Sequence, residues 1–175
     1  MSLNLWILVS SVVFLIFLWS VFAVRHLQHL KLKVDDQWEL VDEGLRKRHD
    51  MVPNLIETIR AHMDKGELVA TLIKAREEAR RKYNPDAKKI EFEHELTDQI
   101  NAAFALKKES NELARDTNFL ELKREIDDIE QNTEDKVKKY NEMVRYYNKH
   151  RKIAPLLPVA KIAGFKSENI FEMEV

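Results

Sequence analysis

Residues 45–59 read LRKRHDMVPNLIETI, and they pose the fold problem in miniature. Leu45, Val52, Leu55 or Ile56, and Ile59 keep the three-four spacing of an amphipathic helix. Across that pattern fall a basic triplet and a proline. Pro53 has no N–H to give the carbonyl of His49, and its ring crowds that turn. Two readings follow: a helix that kinks as it passes through Pro53, or a new helix capped by Asp50. Either bends the chain and bares the His49 carbonyl to a partner, with wrapping around neighbouring helices as the simpler purpose of the bend. Arg46, Lys47 and Arg48 point in three directions, because successive helical residues turn by about 100°. They read as a solvated face making ordinary pairs, Arg46 with Asp50 and Arg48 with Glu57.

Working outward towards the N-terminus, the stripe continues through Val41, Trp38, Val34, Leu30 and Leu27. Before it, Ser2 to Val24 contains no charged residue and matches the roughly 20 residues needed to cross a bilayer as a helix. Trp6 and Trp19 stand near its ends, where indole rings favour the headgroup level. A secretory signal is the rival reading, with Val21-Phe22-Ala23 as a cleavage site, but the basic leader is missing and the apolar run is too long. An uncleaved anchor over residues 1–24 is therefore expected. Arg25, Lys31 and Lys33 follow the span and none precedes it, which puts the N-terminus outside and the rest in the cytoplasm.

Towards the C-terminus, Asp64-Lys65-Gly66 is expected to end the first helix with a left-handed glycine cap. A second helix is expected from Glu67 to Tyr83 on Leu68, Leu72, Ala75 and Ala79, closed by Asn84-Pro85-Asp86. A third is expected from Lys88 to Leu113 with Ile90, Ile100, Ala103, Phe104 and Leu106. Asp116-Thr117-Asn118 supplies caps for a fourth, whose stripe of Phe119, Leu122, Ile126, Ile129, Thr133, Val137, Tyr140, Val144 and Tyr147 persists for about four heptads, a coiled-coil-like seam. Residues 25–152 thus read as an all-α, up-down-up-down four-helix bundle. Three glycines and four prolines leave few turns for a β fold. The fourth helix returns to the membrane side at Lys149-His150-Arg151-Lys152. Residues 153–175 form a tail, broken by Pro155 and Pro158, that covers the open end of the bundle or rests on the headgroup layer.

The formal net charge of −1 gives no global reason to bind nucleic acid. There is no cysteine, no G-x-S-x-G turn and no glycine-rich phosphate loop. Glu91-Phe92-Glu93-His94 offers one Glu-x-x-His spacing, but a di-iron bundle needs two. Glu91, Glu93, His94 and Glu95 therefore read as charged surface, and His26 and His29 as interfacial imidazoles. No catalytic, metal or cofactor site is expected. Tyr140-Asn141 and Tyr147-Asn148 stand one heptad apart, which reads as polar pins in a packed bundle, or more sharply as a recognition surface where Asn141 and Asn148 meet another protein.

LRKRHDMVPNLIETI resembles the signature of the LemA family of bacterial proteins. The resemblance recurs in KKYNEMVRYYNK, residues 138–149, in PLLPVAKIAGF, residues 155–165, and in Ile170-Phe171-Glu172. It departs at SNELARDTNFLEL, residues 110–122, which lacks the family's usual proline, and at Val137, where the family tends to have arginine. The resemblance implies a membrane span followed by a helical bundle, with Arg46, Arg48, Asp50, Pro53, Asn54, Glu57, Tyr140, Asn141, Tyr147, Asn148, Gly164 and Phe165 as motif positions of structural weight. The family has no established catalytic chemistry, and some relatives take part in building membrane organelles. The expectation is a non-enzymatic scaffold or adaptor at the inner membrane, with other proteins as partners. The alternative is a self-assembling protein that shapes membrane, a homo-oligomer; a metal-dependent enzyme comes third.

Overall fold

The computed structural model describes residues 2–81, 85–153 and 156–172. The expected breakers Asn84 and Pro155, and Tyr83 at the end of the second helix, lie outside the described residues. The class is all-α, with no strand among the described residues: α1 Ser2–His62, α2 Gly66–Arg80, α3 Ala87–Ala105, α4 Thr117–Arg151 and α5 Leu157–Ile162, with single 3-10 turns at Leu106–Lys108 and Leu113–Arg115.

The long apolar stripes survive almost residue for residue. On α1 Leu27, Leu30, Val34, Val41, Leu45, Val52, Leu55 and Ile59 are buried, and on α4 so are Phe119, Leu122, Ile126, Thr133, Val137, Tyr140, Val144 and Tyr147. Three local expectations are corrected. α1 runs through Pro53 without ending, so Asp50 caps no new helix. Gly66 has no positive φ and instead opens α2, while Gly164 is the one described glycine in the left-handed region, at φ 75°. The third helix stops at Ala105 rather than Leu113, because the chain tightens there into the 3-10 turns. Caps form where the side chains allow them: the Asp86 carboxylate accepts from Lys89 N at 3.0 Å, and the Asp116 carboxylate from Phe119 N at 2.7 Å.

The chain forms two compact units, residues 37–141 with 169–175, and residues 1–36 with 142–168. In the first, one core is assembled from Val52, Leu55 and Ile59 of α1, Leu72, Ala75 and Ala79 of α2, Leu96, Ile100 and Ala103 of α3, and Phe119 and Ile126 of α4. Each buried Leu or Ile contributes about 1.5–3 kcal/mol relative to exposure. His62 pairs with Asp116 at 3.4 Å, and a Cβ on Gly44 would touch Thr133, so α1 and α4 run antiparallel here.

In the second unit, α1 begins with exposed apolar residues: Leu5 to Phe22 offer their large side chains outward, and from Ala23 burial sets in. This helix is long and apolar enough to cross a membrane. α5 ends in a Schellman motif: Phe165 N donates to Ala160 O at 2.9 Å and Gly164 N to Lys161 O at 3.3 Å. Gly164 is the residue that takes the left-handed position this turn requires.

Candidate functional site

The three-four alternation on α1 demands an inward residue between Leu45 and Val52, and position 48 fills it with arginine. Arg48 is only 2 % exposed, which overturns its assignment to a solvated face. On α3 the same logic puts Lys89 and Glu93 inward, one turn apart, so Glu93 is fully buried rather than surface. The result is an ionic cluster joining three helices. Arg48 Nη2 donates to Glu93 Oε2 at 2.6 Å, and Arg48 Nη1 to Thr97 Oγ1 at 2.8 Å and to Glu130 Oε1 at 3.1 Å. Lys89 Nζ reaches Glu93 Oε1 at 2.8 Å and donates to Ala79 O at 2.7 Å.

His49 Nε2 lies 3.0 and 3.1 Å from the two Glu93 oxygens. An ionised carboxylate only accepts, so Nε2 carries the hydrogen. Burial pushes the Glu93 carboxyl up, but the hydrogen bond and charge of His49 with the charges of Arg48 and Lys89 outweigh it and hold the group at about 2. Each oxygen of Glu93 is engaged and none faces solvent.

The His49 carbonyl, expected to stand bare for a partner, is taken by the chain itself: Arg76 Nε donates to it at 2.6 Å. A guanidinium from α2 thus replaces the N–H that Pro53 lacks. Asp50 is exposed and lies 4.0 Å from Arg76, and Arg46 pairs with Asp42 at 2.7 Å rather than with Asp50. Glu57 and Asn54 are exposed and line a cleft of about 510 Å³ with His62, Asp116, Glu121 and Glu125. Among the described residues no three His, Asp or Glu side chains converge as a metal would require. Glu93 of the Glu91-Phe92-Glu93-His94 stretch is committed to cations, and Glu91 is exposed.

The Tyr-Asn pairs grip backbone. In one unit Tyr140 Oη donates to Asn169 O at 2.9 Å, while the Asn141 amide donates to Phe171 O and accepts from Phe171 N, both at 2.8 Å. In the other, Tyr147 Oη donates to Lys166 O at 3.0 Å; the Asn148 amide donates to Glu168 O at 2.7 Å and accepts from Glu168 N at 3.1 Å. Each asparagine side chain behaves like a peptide group in a ladder. This corrects their reading as a surface for another protein, since the chain's own tail uses both edges of each amide. The repeat follows from chain arithmetic: seven helical residues rise about 10.5 Å, and three extended residues cover about 10 Å. Burial and the Glu168 carboxylate push the Tyr147 phenol up, so it remains a donor. Trp38 and Phe171 meet edge to face at 5.2 Å, and Arg151 Nη1 donates to Phe165 O at 3.2 Å.

Sequence reasoning missed Arg48, His49, Lys89, Glu93 and Arg76 as one constellation. The signal was present in the helical period, which leaves no apolar residue for the inward position between Leu45 and Val52.

Among curated proteins nothing matches this sequence. The LemA family model matches residues 37–175, beginning after the apolar segment and taking in both the Arg48 cluster and the two asparagine grips. The chain belongs to the LemA family.

Proposed function

We propose that this chain is a single-pass membrane protein whose helical part binds other proteins as a scaffold or adaptor, without catalysis of its own. The observation that carries the reading is α1 itself, one helix that starts with exposed apolar residues from Leu5 to Phe22 and goes on to supply buried residues of the helical core. Such a helix is both anchor and structural member. The antiparallel pairing of α1 with α4 favours an up-down four-helix bundle. Arg25, Lys31 and Lys33 after the span favour the inner membrane with the bundle in the cytoplasm.

The experiment is crosslinking in intact cells with mass spectrometry of what co-purifies with the full chain. A discrete set of protein partners, diminished by substitutions of Glu57 and Glu121 in the cleft, is the expected result. Self-crosslinks alone would replace the adaptor by a self-assembling membrane protein, and a reproducible turnover by purified protein would replace both by an enzyme.

A further inference from the structure

We propose that the end of α4, residues 149–153, and the segment through α5, residues 156–162, form a second membrane contact that docks on anionic phospholipid headgroups beside the span. The inference rests on the anchor reading and adds to it a surface and a ligand class. Its first support is charge segregation. The unit of residues 1–36 and 142–168 contains nine Lys and Arg against four Asp and Glu, a surplus of five positive charges in a chain whose net charge is −1. No acidic residue occurs between positions 143 and 167.

The second support is position. The Phe22 ring, at the end of the exposed apolar run, stacks on His26 with centroids 6.3 Å apart, and His26 stands 6.2 Å from His150. The C-terminal end of α4 therefore lies about one turn from where the lipid-facing surface of α1 gives way to buried Ala23 and Leu27. Arg25, Lys149 and Lys152 are exposed there, and Lys161 is exposed on α5, whose last turn is tied to the end of α4 by the Arg151 hydrogen bond to the Phe165 carbonyl.

The third support is apolar surface left exposed in the same unit. Ile162 is 89 % exposed and Ile153 is 40 % exposed, each next to an exposed lysine. An isoleucine flanked by lysine suits the boundary between headgroups and acyl chains, where the lysine meets phosphate and the side chain enters hydrocarbon. A soluble protein partner would not explain why the surplus of positive charge is confined to the unit that carries the span. A leaflet rich in anionic lipid does, because basic residues are attracted within a Debye length of it.

The chain contains no cysteine, so single labels can be placed cleanly. The full chain carrying Ile162→Cys with an environment-sensitive fluorophore is reconstituted into vesicles of phosphatidylcholine, with and without phosphatidylglycerol. Val12→Cys serves as the reporter of the span. The expected result is quenching of the Ile162→Cys label by headgroup-level quencher lipids only when phosphatidylglycerol is present. Association should weaken about five-fold for each lysine removed by Lys149→Gln and Lys152→Gln. A label at 162 that stays in water in both vesicles, while the label at 12 lies in hydrocarbon, overturns this contact and leaves the anchor intact. Equal depth at 162 in both vesicles overturns the anionic specificity. A label at 12 that stays in water overturns the anchor and the contact together.

Discussion

Arg76 Nε donates to the carbonyl oxygen of His49 at 2.6 Å, the one carbonyl in that turn of α1 that Pro53 cannot serve. A defect in one helix is repaired by a side chain from another, which ties α2 to α1 at the point where α1 would otherwise be weakest. The repair sets up a thermodynamic cycle. Arg76→Ala leaves the His49 oxygen without its donor and is expected to destabilise by about 1–3 kcal/mol. In a Pro53→Ala background the restored N–H can serve the same oxygen, so the same substitution should cost clearly less. Urea midpoints of the four detergent-solubilised proteins give the coupling, and equal costs in both backgrounds would show that Arg76 acts through something other than this carbonyl.

Glu93 gives the protein an acid-sensitive core. Its carboxyl is held at about 2 against an ordinary 4.5, so its ionised form contributes stability that is fully present above about pH 4.5 and is lost as pH falls towards 2. The lost contribution is about 3 kcal/mol from a shift of this size. Glu93→Gln removes the titration and leaves Arg48 and Lys89 buried without their carboxylate, which is expected to cost about 3–5 kcal/mol at neutral pH. Thermal midpoints followed from pH 6 to pH 3 should fall for the native chain and lose most of that slope in the variant. A slope unchanged in Glu93→Gln would assign the acid sensitivity to other groups.

Most helices were legible in the sequence, and most of the polar core was not, for one physical reason. A period of three and four finds helix faces whether the residues on them are apolar or charged, but the assumption that charge means solvent removes every ion pair from the inside. Arg48, Lys89 and Glu93 obey the period and break the assumption, since each buried charge is compensated by another. Lys138, by contrast, pairs with Glu134 at 2.8 Å on an exposed face, and there composition and burial agree. The Tyr-Asn repeat was visible as a repeat. Its use was hidden because the tail that it holds has no regular secondary structure of its own, so nothing in the helical pattern pointed to residues 166–171 as its ligand.

Gly44 is a contact residue whose value lies in having no side chain. A Cβ there would clash with Thr133 Oγ1 and stand 3.1 Å from Thr133 Cβ and Cγ2. Thr133 is buried, and its hydroxyl donates to Ile129 O at 2.7 Å, so it cannot easily swing away. Gly44→Ala gains about 0.5–1 kcal/mol of helix propensity. Overpacking of α1 against α4 costs about 1–3 kcal/mol and should win. Thr133→Ala removes Oγ1 and Cγ2 and leaves only the Cβ contact at 3.1 Å, so Gly44→Ala in that background is expected to cost clearly less than in the native chain. Denaturation midpoints check this, and a Gly44→Ala protein more stable than the native chain would mean that the helices separate here at little cost.

Asn141 and Asn148 perform the same task on different residues, which makes each the other's control. Each amide closes two hydrogen bonds with one backbone residue, Asn141 with Phe171 and Asn148 with Glu168. Asn141→Ala should therefore release the Phe171 amide to exchange while leaving that of Glu168 protected, and Asn148→Ala should do the reverse. At about 1 kcal/mol for each hydrogen bond, the loss of two corresponds to exchange faster by a factor of roughly 30 at the released amide. Asn141→Asp and Asn148→Asp retain the acceptor for the N–H but lose the donor to the carbonyl, so protection should fall by a smaller factor. The measurement is hydrogen exchange read by mass spectrometry at peptide level across residues 160–175. If either alanine variant frees both amides together, the tail is held as one cooperative strap, and the two asparagines serve a single latch rather than two separate ones.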